Sequence, residues 1–222
     1  DPILEGWNNV GNPYQSTIDW TSASWIKTNV NDALYFENSG LWGTYIAGVG
    51  ANGGSQYIAP GQGFFVQCNN IAGGSLGFDP GIRTHTRGTF LKNSVANMIR
   101  LQASGNSLSM ETVIRFTENA TNGFDANYDA HMLFSDLINY PNVPQIYSME
   151  NGYLAINALS SADQVPVGFK AGLDGVYTID MTENNDIATV ILEDLLTGNI
   201  TDVNTSSYTF NYTAGENEGR FI

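Results

Sequence analysis

Tyr208-Thr209-Phe210-Asn211-Tyr212-Thr213 sets an aromatic ring at every second position and a small polar side chain between them. Successive side chains of a strand point to opposite faces, so this period of two describes a strand with one face on a core and the other in water. Tyr177, Ile179 and Met181 alternate with Val176, Thr178 and Asp180 in the same way, as do Ile99, Leu101 and Ala103 with Arg100 and Gln102. The last pattern predicts Arg100 on a wet face. One dry and one wet face is the mark of antiparallel sheet. Asn151-Gly152 lies between the runs Ile146–Met149 and Tyr153–Ile156, and Asn-Gly adopts the positive φ angles of a tight hairpin. A second hairpin is expected at Thr197-Gly198-Asn199.

Helical spacing stands out in one place. Ala130, Leu133, Phe134, Leu137 and Ile138 share a helical face, Asp129 is available as N-cap and Pro141 follows the end, which predicts a helix of barely three turns. The expected class is therefore all-β, built of antiparallel, jelly-roll-like β-sandwich modules with at most a short helix, because hairpins need a second layer over their apolar faces.

The composition agrees. Hydrophobic residues make up 42% of the 222, too many for a disordered tail, while charged residues are 14% against roughly 25% in ordinary domains. Neutral Asn, Ser, Thr and Gly must cover the surface, and 24 Gly with 7 Pro point to many turns. Acidic residues outnumber basic ones 22 to 8, a net charge of −14, which repels phosphate backbones and anionic membrane surfaces. Nucleic acid and membrane insertion are thus not expected. The sequence opens at Asp1 without Met, read here as a processed or excised fragment. The lone Cys68 has no partner for an intrachain disulfide, and its phase with Phe64 and Val66 predicts a buried thiol.

Texture changes near residue 90. Trp7, Trp20, Trp25 and Trp42 and the glycine-rich stretch 48–77 precede it, whereas the regular alternating strands mostly follow. A boundary is placed at Lys92-Asn93-Ser94, giving modules 1–92 and 93–222 that share an interface, since the first is short for an independent core.

Two glycine motifs mimic catalytic loops. Gly48-Val49-Gly50-Ala51-Asn52-Gly53 fits the dinucleotide pattern, and Gly73-Gly74-Ser75-Leu76-Gly77 the nucleophile elbow; both chemistries need a helix straight after the loop. Neither is followed by one: Pro60-Gly61 and Pro80-Gly81 are turns. His85 and His131 with one Cys lack zinc spacing. No catalytic residue is assigned, and no cofactor is required. Asp125, Asn127 and Asp129 recur at alternate positions, with Asp136 at position twelve, as in a calcium loop, although Ala130 stands where that loop needs Gly. They are the candidate calcium ligands. Trp20, Trp25, Trp42 and Tyr45 are the candidate carbohydrate-binding residues, because aromatic faces stack on sugar rings; a platform exposes such rings and a stalk buries them.

Glu5-Gly6-Trp7-Asn8-Asn9-Val10-Gly11-Asn12-Pro13-Tyr14 with Ile18-Asp19-Trp20, then the run Gly53–Val66, resemble the C-terminal region of large secreted surface proteins of Bacteroidota. Glu111–Phe116, Phe124–Ala130, Leu192–Gly198, Tyr208–Phe210 and Gly219-Arg220-Phe221 look like the segment preceding a type IX secretion sorting domain. The resemblance implies an extracellular or cell-surface β-sandwich module of a multidomain protein. Its export partner would be the type IX machinery, reached through a sorting domain that would follow Ile222, and its other partners glycans or surface proteins. The expected function is a non-catalytic adhesion, assembly or stalk module. The alternative is a carbohydrate-binding module of a secreted polysaccharide-degrading enzyme.

Overall fold

In the computed structural model, residues 5–85, 95–150 and 152–222 are described. Strands account for 48% and helix for 1%, so the all-β class holds. The first stretch carries β1 (Trp7–Gly11), β2 (Thr17–Asp19), β3 (Trp25–Thr28), β4 (Leu34–Asn38) and β5 (Leu41–Ile46). It continues with β6 (Val49–Ala51), β7 (Tyr57–Ile58), β8 (Gly63–Gln67), β9 (Ser75–Phe78) and β10 (Arg83–Thr84). These form a five-stranded sheet in the order β1-β8-β4-β5-β6, a three-stranded sheet β10-β2-β7 and the ribbon β3-β9.

After residue 95 come β11 (Met98–Gly105), β12 (Leu108–Phe116), β13 (Ala130–His131), β14 (Gln145–Ser148) and β15 (Leu154–Leu159). Then follow β16 (Val167–Lys170), β17 (Gly175–Asn185), β18 (Ile191–Asp194), β19 (Asn199–Asp202) and β20 (Tyr208–Tyr212). The main sheet runs β16-β14-β15-β12-β11-β17-β20, with β13 also on β15. Of these pairings only β12 with β15 is parallel. Both expected hairpins form: Ser148 pairs with Leu154 across Gly152, and Asp194 with Asn199 across Gly198. Glycine is needed at these turns, with φ of +120° and +72°.

The alternating strands bury the faces their sequences mark. Tyr177, Ile179, Tyr208, Phe210 and Tyr212 join Phe169 and Phe221 in one core. Phe169 meets Tyr177, Phe210 and Tyr212 edge-to-face at 5.0–5.1 Å, contacts worth about 0.5–1.5 kcal/mol each beyond burial. Phe221 closes this core by bridging Val167 and Asp194.

The named sheets before residue 85 and after residue 95 are separate, while the proposed boundary residues Lys92 to Ser94 lie outside the described residues. Side chains nevertheless cross between the two groups. Tyr35, Ile46, Val49 and Ala51 pack in one cluster with Met98, Val113, Ala130 and Ile156. Arg100 sits in this seam and is buried, contrary to the wet face its alternation predicts. Its guanidinium donates to Glu111 at 2.7 Å, to Glu183 at 3.0 Å and to the Gly50 carbonyl at 2.8 Å. Glu111 in turn accepts from the Asn52 N–H at 2.7 Å, so the turn after β6 is fastened to β12. Alternation gives the face of a strand; what later covers that face is a tertiary matter.

The helix expected over Ala130–Ile138 is absent. Ala130 and His131 instead pair with β15, Met132 donates to the Tyr153 carbonyl at 2.7 Å, and Ile138 is 90% exposed. Asp129 is no N-cap, since its carboxylate accepts from Asp125 and Ala158. Sheet pairing outweighs a local spacing too short to hold a helix by itself.

Candidate functional site

β8 ends in Gln67, and the chain leaves it through Cys68-Asn69-Asn70-Ile71 before returning along β9. Asn29, in the left-handed region at φ 55°, holds this loop by accepting from the Asn69 N–H and donating its amide to the Gly73 carbonyl. Gly6 lies against the Cys68 carbonyl, where any Cβ would overlap it, and its own carbonyl accepts from the Cys68 N–H at 2.8 Å. Between this loop, the outer strand β1 and the start of β9 opens a groove of about 1180 Å³, reached on its far side by Phe124 and His131.

A chain of amides stiffens one wall. Asn69 Nδ2 donates to Asn31 Oδ1 at 2.7 Å, Asn31 Nδ2 to Gln67 Oε1 at 2.9 Å, and Gln67 Nε2 to the Glu5 carbonyl at 3.2 Å. Asn70 Oδ1 accepts from the Ala72 N–H at 2.9 Å, which turns the loop and leaves Ile71 fully exposed at its tip. Cys68, expected to be a buried thiol, is half-buried on this wall with Sγ 3.4 Å from the Asn70 carbonyl. The apolar phase of β8 stops at Val66, because the chain bends where Cys68 bridges Val30.

Phe124 lies flat on His131, ring centres 4.3 Å apart and planes within 2°. The imidazole is 6% exposed, the phenyl ring 36%. Burial lowers the His131 pKa, so the imidazole is neutral at pH 7. Its backbone N–H donates to the Tyr35 hydroxyl at 2.9 Å, and Nδ1 is buried without a partner among the described residues.

Two residues before His131, Asp129 is buried in the 125–129 turn. Its two oxygens accept from the N–H groups of Asp125 at 2.6 Å and Ala158 at 2.7 Å. Burial dominates these bonds and pushes its pKa up to about 6. Asp125 Oδ1 accepts from both the backbone and the side-chain amide of Asn127. The candidate calcium ligands Asp125, Asn127 and Asp129 thus form a turn closed on itself, and no three His, Cys, Asp or Glu side chains among the described residues are grouped to hold a metal ion.

The candidate carbohydrate platform is dispersed into the interior. Trp20 and Trp25 pack on each other at 4.9 Å, their indole N–H groups donate to the carbonyls of Asp32 and Asp19, and Lys27 Nζ covers the Trp20 ring at 3.8 Å. Tyr45 is buried with its hydroxyl on Gln56 at 3.1 Å. Trp42 is half-buried edge-on to Phe65 at 5.4 Å against the shared seam. Three of the four are core residues, so no coplanar exposed surface arises from them. Gly48–Gly53 is β6 with the turns on either side of it, and Ser75–Gly77 lies within β9 after a turn at Gly73-Gly74, so both glycine motifs are strand-and-turn segments.

The groove is not visible in the sequence because its walls come from widely separated stretches, 5–10, 30–31 and 66–76 with Phe124, His131 and Gly152. The available signal was the clustering of neutral amides, Asn8-Asn9 on an outer strand, Gln67 at the end of another and Asn69 and Asn70 just beyond it.

Compared with known families, the chain matches a domain of unknown function (DUF8693) over residues 22–222 and belongs to that family. The match runs through both groups of sheets. No curated protein and no solved structure is similar to it.

Proposed function

We propose that this chain is a non-catalytic adhesion or assembly module of an extracellular surface protein exported by the type IX system. The observation that carries the reading is the groove, whose described lining is rich in primary amides, with Asn31, Gln67 and Asn69 joined to one another. Amides neither donate nor take up protons near neutral pH, and the histidine beside them is kept uncharged under a phenyl ring. Such a surface recognises by fit and hydrogen bonding. Charged side chains are used elsewhere to fasten strands, as in Arg100 with Glu111 and Glu183. The location and export route rest on the likeness of Phe124–Ala130, Leu192–Gly198 and Gly219–Phe221 to the segment before a sorting domain.

The test has two arms. Immobilised protein is expected to retain intact bacterial cells under flow, and Ile71→Asp at the groove tip to abolish that retention. Chromogenic ester, peptide and glycoside substrates are expected to stay intact. Turnover lost in His131→Ala, or retention unaffected by Ile71→Asp, would overturn the reading.

A further inference from the structure

We infer that the groove between β1 and the 68–75 loop binds a neutral oligosaccharide, with the outer face of Phe124 as stacking surface and Asn9, Asn69 and Asn70 as hydroxyl-binding groups. This deepens the adhesion reading and rests on it.

Charge comes first. The chain carries 22 acidic and 8 basic residues, yet among the described residues the groove lining holds a single carboxylate, that of Glu5, and neither Lys nor Arg. An anionic ligand would meet the field of a −14 chain with no cation among the described lining residues to receive it, and a basic peptide would find one acid among them. A neutral, polar ligand remains. Size points the same way: about 1180 Å³ exceeds the roughly 300–1,000 Å³ of small-molecule pockets, so the groove suits a ligand of several linked units.

The remaining hydrogen-bonding capacity is specific. Among the described residues, Asn69 uses Nδ2 internally and keeps Oδ1, and Asn70 uses Oδ1 and keeps Nδ2. An acceptor and a donor therefore stand on adjacent residues, a pattern that hydroxyls, being both donor and acceptor, can satisfy. Asn9, exposed on β1, makes no side-chain hydrogen bond among the described residues and offers both groups. Phe124 has one face held flat against His131, which leaves the other for the C–H face of a sugar ring. The amide chain and the Asn29 hydrogen bonds fix the loop that carries Asn69 and Asn70 before binding, which lowers the ordering cost.

The competing occupant is an extended peptide added to the outer edge of β1. Neutral hexasaccharides of the cello-, xylo-, manno- and β-1,3-gluco series, and an unbiased set of extended decapeptides, are the probes for titration. At least one hexasaccharide is expected to bind with an affinity unchanged between low and high salt, because no ion pairs form. Phe124→Ala and Asn70→Ala are each expected to weaken it roughly tenfold or more, with unchanged circular dichroism. Ile138→Asp, exposed outside the groove, should bind as the wild type does. No sugar binding, binding indifferent to both groove variants, or peptide binding alone would overturn the inference. In each case the adhesion reading stands if cells are still retained in an Ile71-dependent way.

Discussion

The clamp at the C-terminal end and the turn over residues 125–129 each bury a carboxylate, and they treat it in opposite ways. In the clamp, Arg220 grips Asp194 with two bonds of 2.7 and 3.0 Å, while the Tyr208 hydroxyl and the Leu196 N–H add donors at 2.6 and 3.0 Å. Burial works against the charge of Asp194, but these hydrogen bonds and the guanidinium outweigh it and bring its pKa down to about 2. In the turn, Asp129 has backbone N–H donors and no cationic partner among the described residues, and burial prevails, so its pKa rises to about 6. The difference lies in the counter-charge. A buried carboxylate with a guanidinium is a fixed structural ion; one held by dipoles alone becomes sensitive to pH.

The largest effect expected from breaking this comparison is in the clamp. Arg220→Ala leaves Asp194 ionised, buried and unpaired, and should cost about 3–5 kcal/mol in chemical denaturation at pH 7. Arg220→Met combined with Asp194→Leu should recover much of that loss, since apolar pairs of similar volume often replace buried ion pairs without penalty. If the double variant is as unstable as the single one, the clamp is maintained by packing of Arg220 over Phe210 and Phe221, 4.8 and 5.5 Å away, rather than by charge. In the wild type, the contribution of Asp194 is complete above the usual carboxylate range and is lost as the pH falls through about 2.

The clamp also shows how far the sequence could be read. Tyr208, Phe210 and Tyr212 announce their strand because the period of two is a local property. Leu192, Asp194 and Gly198 fall in a hairpin that its glycine betrays. That Arg220 would return to Asp194 across 26 residues is a matter of closure, invisible in either segment. The turn is the harder case. Ala130, Leu133, Phe134 and Leu137 have a helical period, yet Ala130 pairs with Ile156 and the helix never forms. The groove is the least legible of all, because Asn9, Asn31, Asn69, Asn70 and Phe124 acquire a common address through packing alone. Aromatic content proved ambiguous: Trp20 and Trp25 are as suited to a core as to a binding face, and only burial distinguishes the two.

A medium effect should come from the turn. Asp129→Asn removes the titrating group and, because Nδ2 cannot accept, leaves one of the Asp125 and Ala158 N–H groups unpaired. That loss is independent of pH and worth about 1–3 kcal/mol. On top of it sits a pH-dependent gain. The folded protein holds a proton on Asp129 up to about pH 6, whereas the unfolded chain releases it near pH 4, so wild-type stability falls through this interval as pH rises. The variant lacks that fall. Its stability relative to wild type should therefore climb between about pH 4 and 6, by roughly 1–3 kcal/mol after solvent screening, and level off above. A relative stability flat across the interval would put Asp129 in the same class as Asp194 and remove the contrast.

The smallest effect concerns calcium. A calcium ion takes 6–8 oxygens, mostly from carboxylates free to turn toward it. Each carboxylate of the calcium-like pattern is already engaged with nitrogen: Asp125 with Asn127, Asp129 with Asp125 and Ala158, and Asp136 with the Ile138 N–H at 2.9 Å and the Asn139 amide at 2.6 Å. Binding would release these donors, and Asp129 would have to leave the interior. Any ion that bound the folded form better than the unfolded one would raise the melting temperature by mass action. Melts in chelator and in millimolar calcium are therefore expected to coincide near pH 7. A calcium-dependent rise that disappears in Asp125→Asn would show that the turn can reopen as an ion site. Asp129 would then have a cation after all, supplied from solution, and the contrast with the Arg220 clamp would depend on conditions instead of being built into the chain.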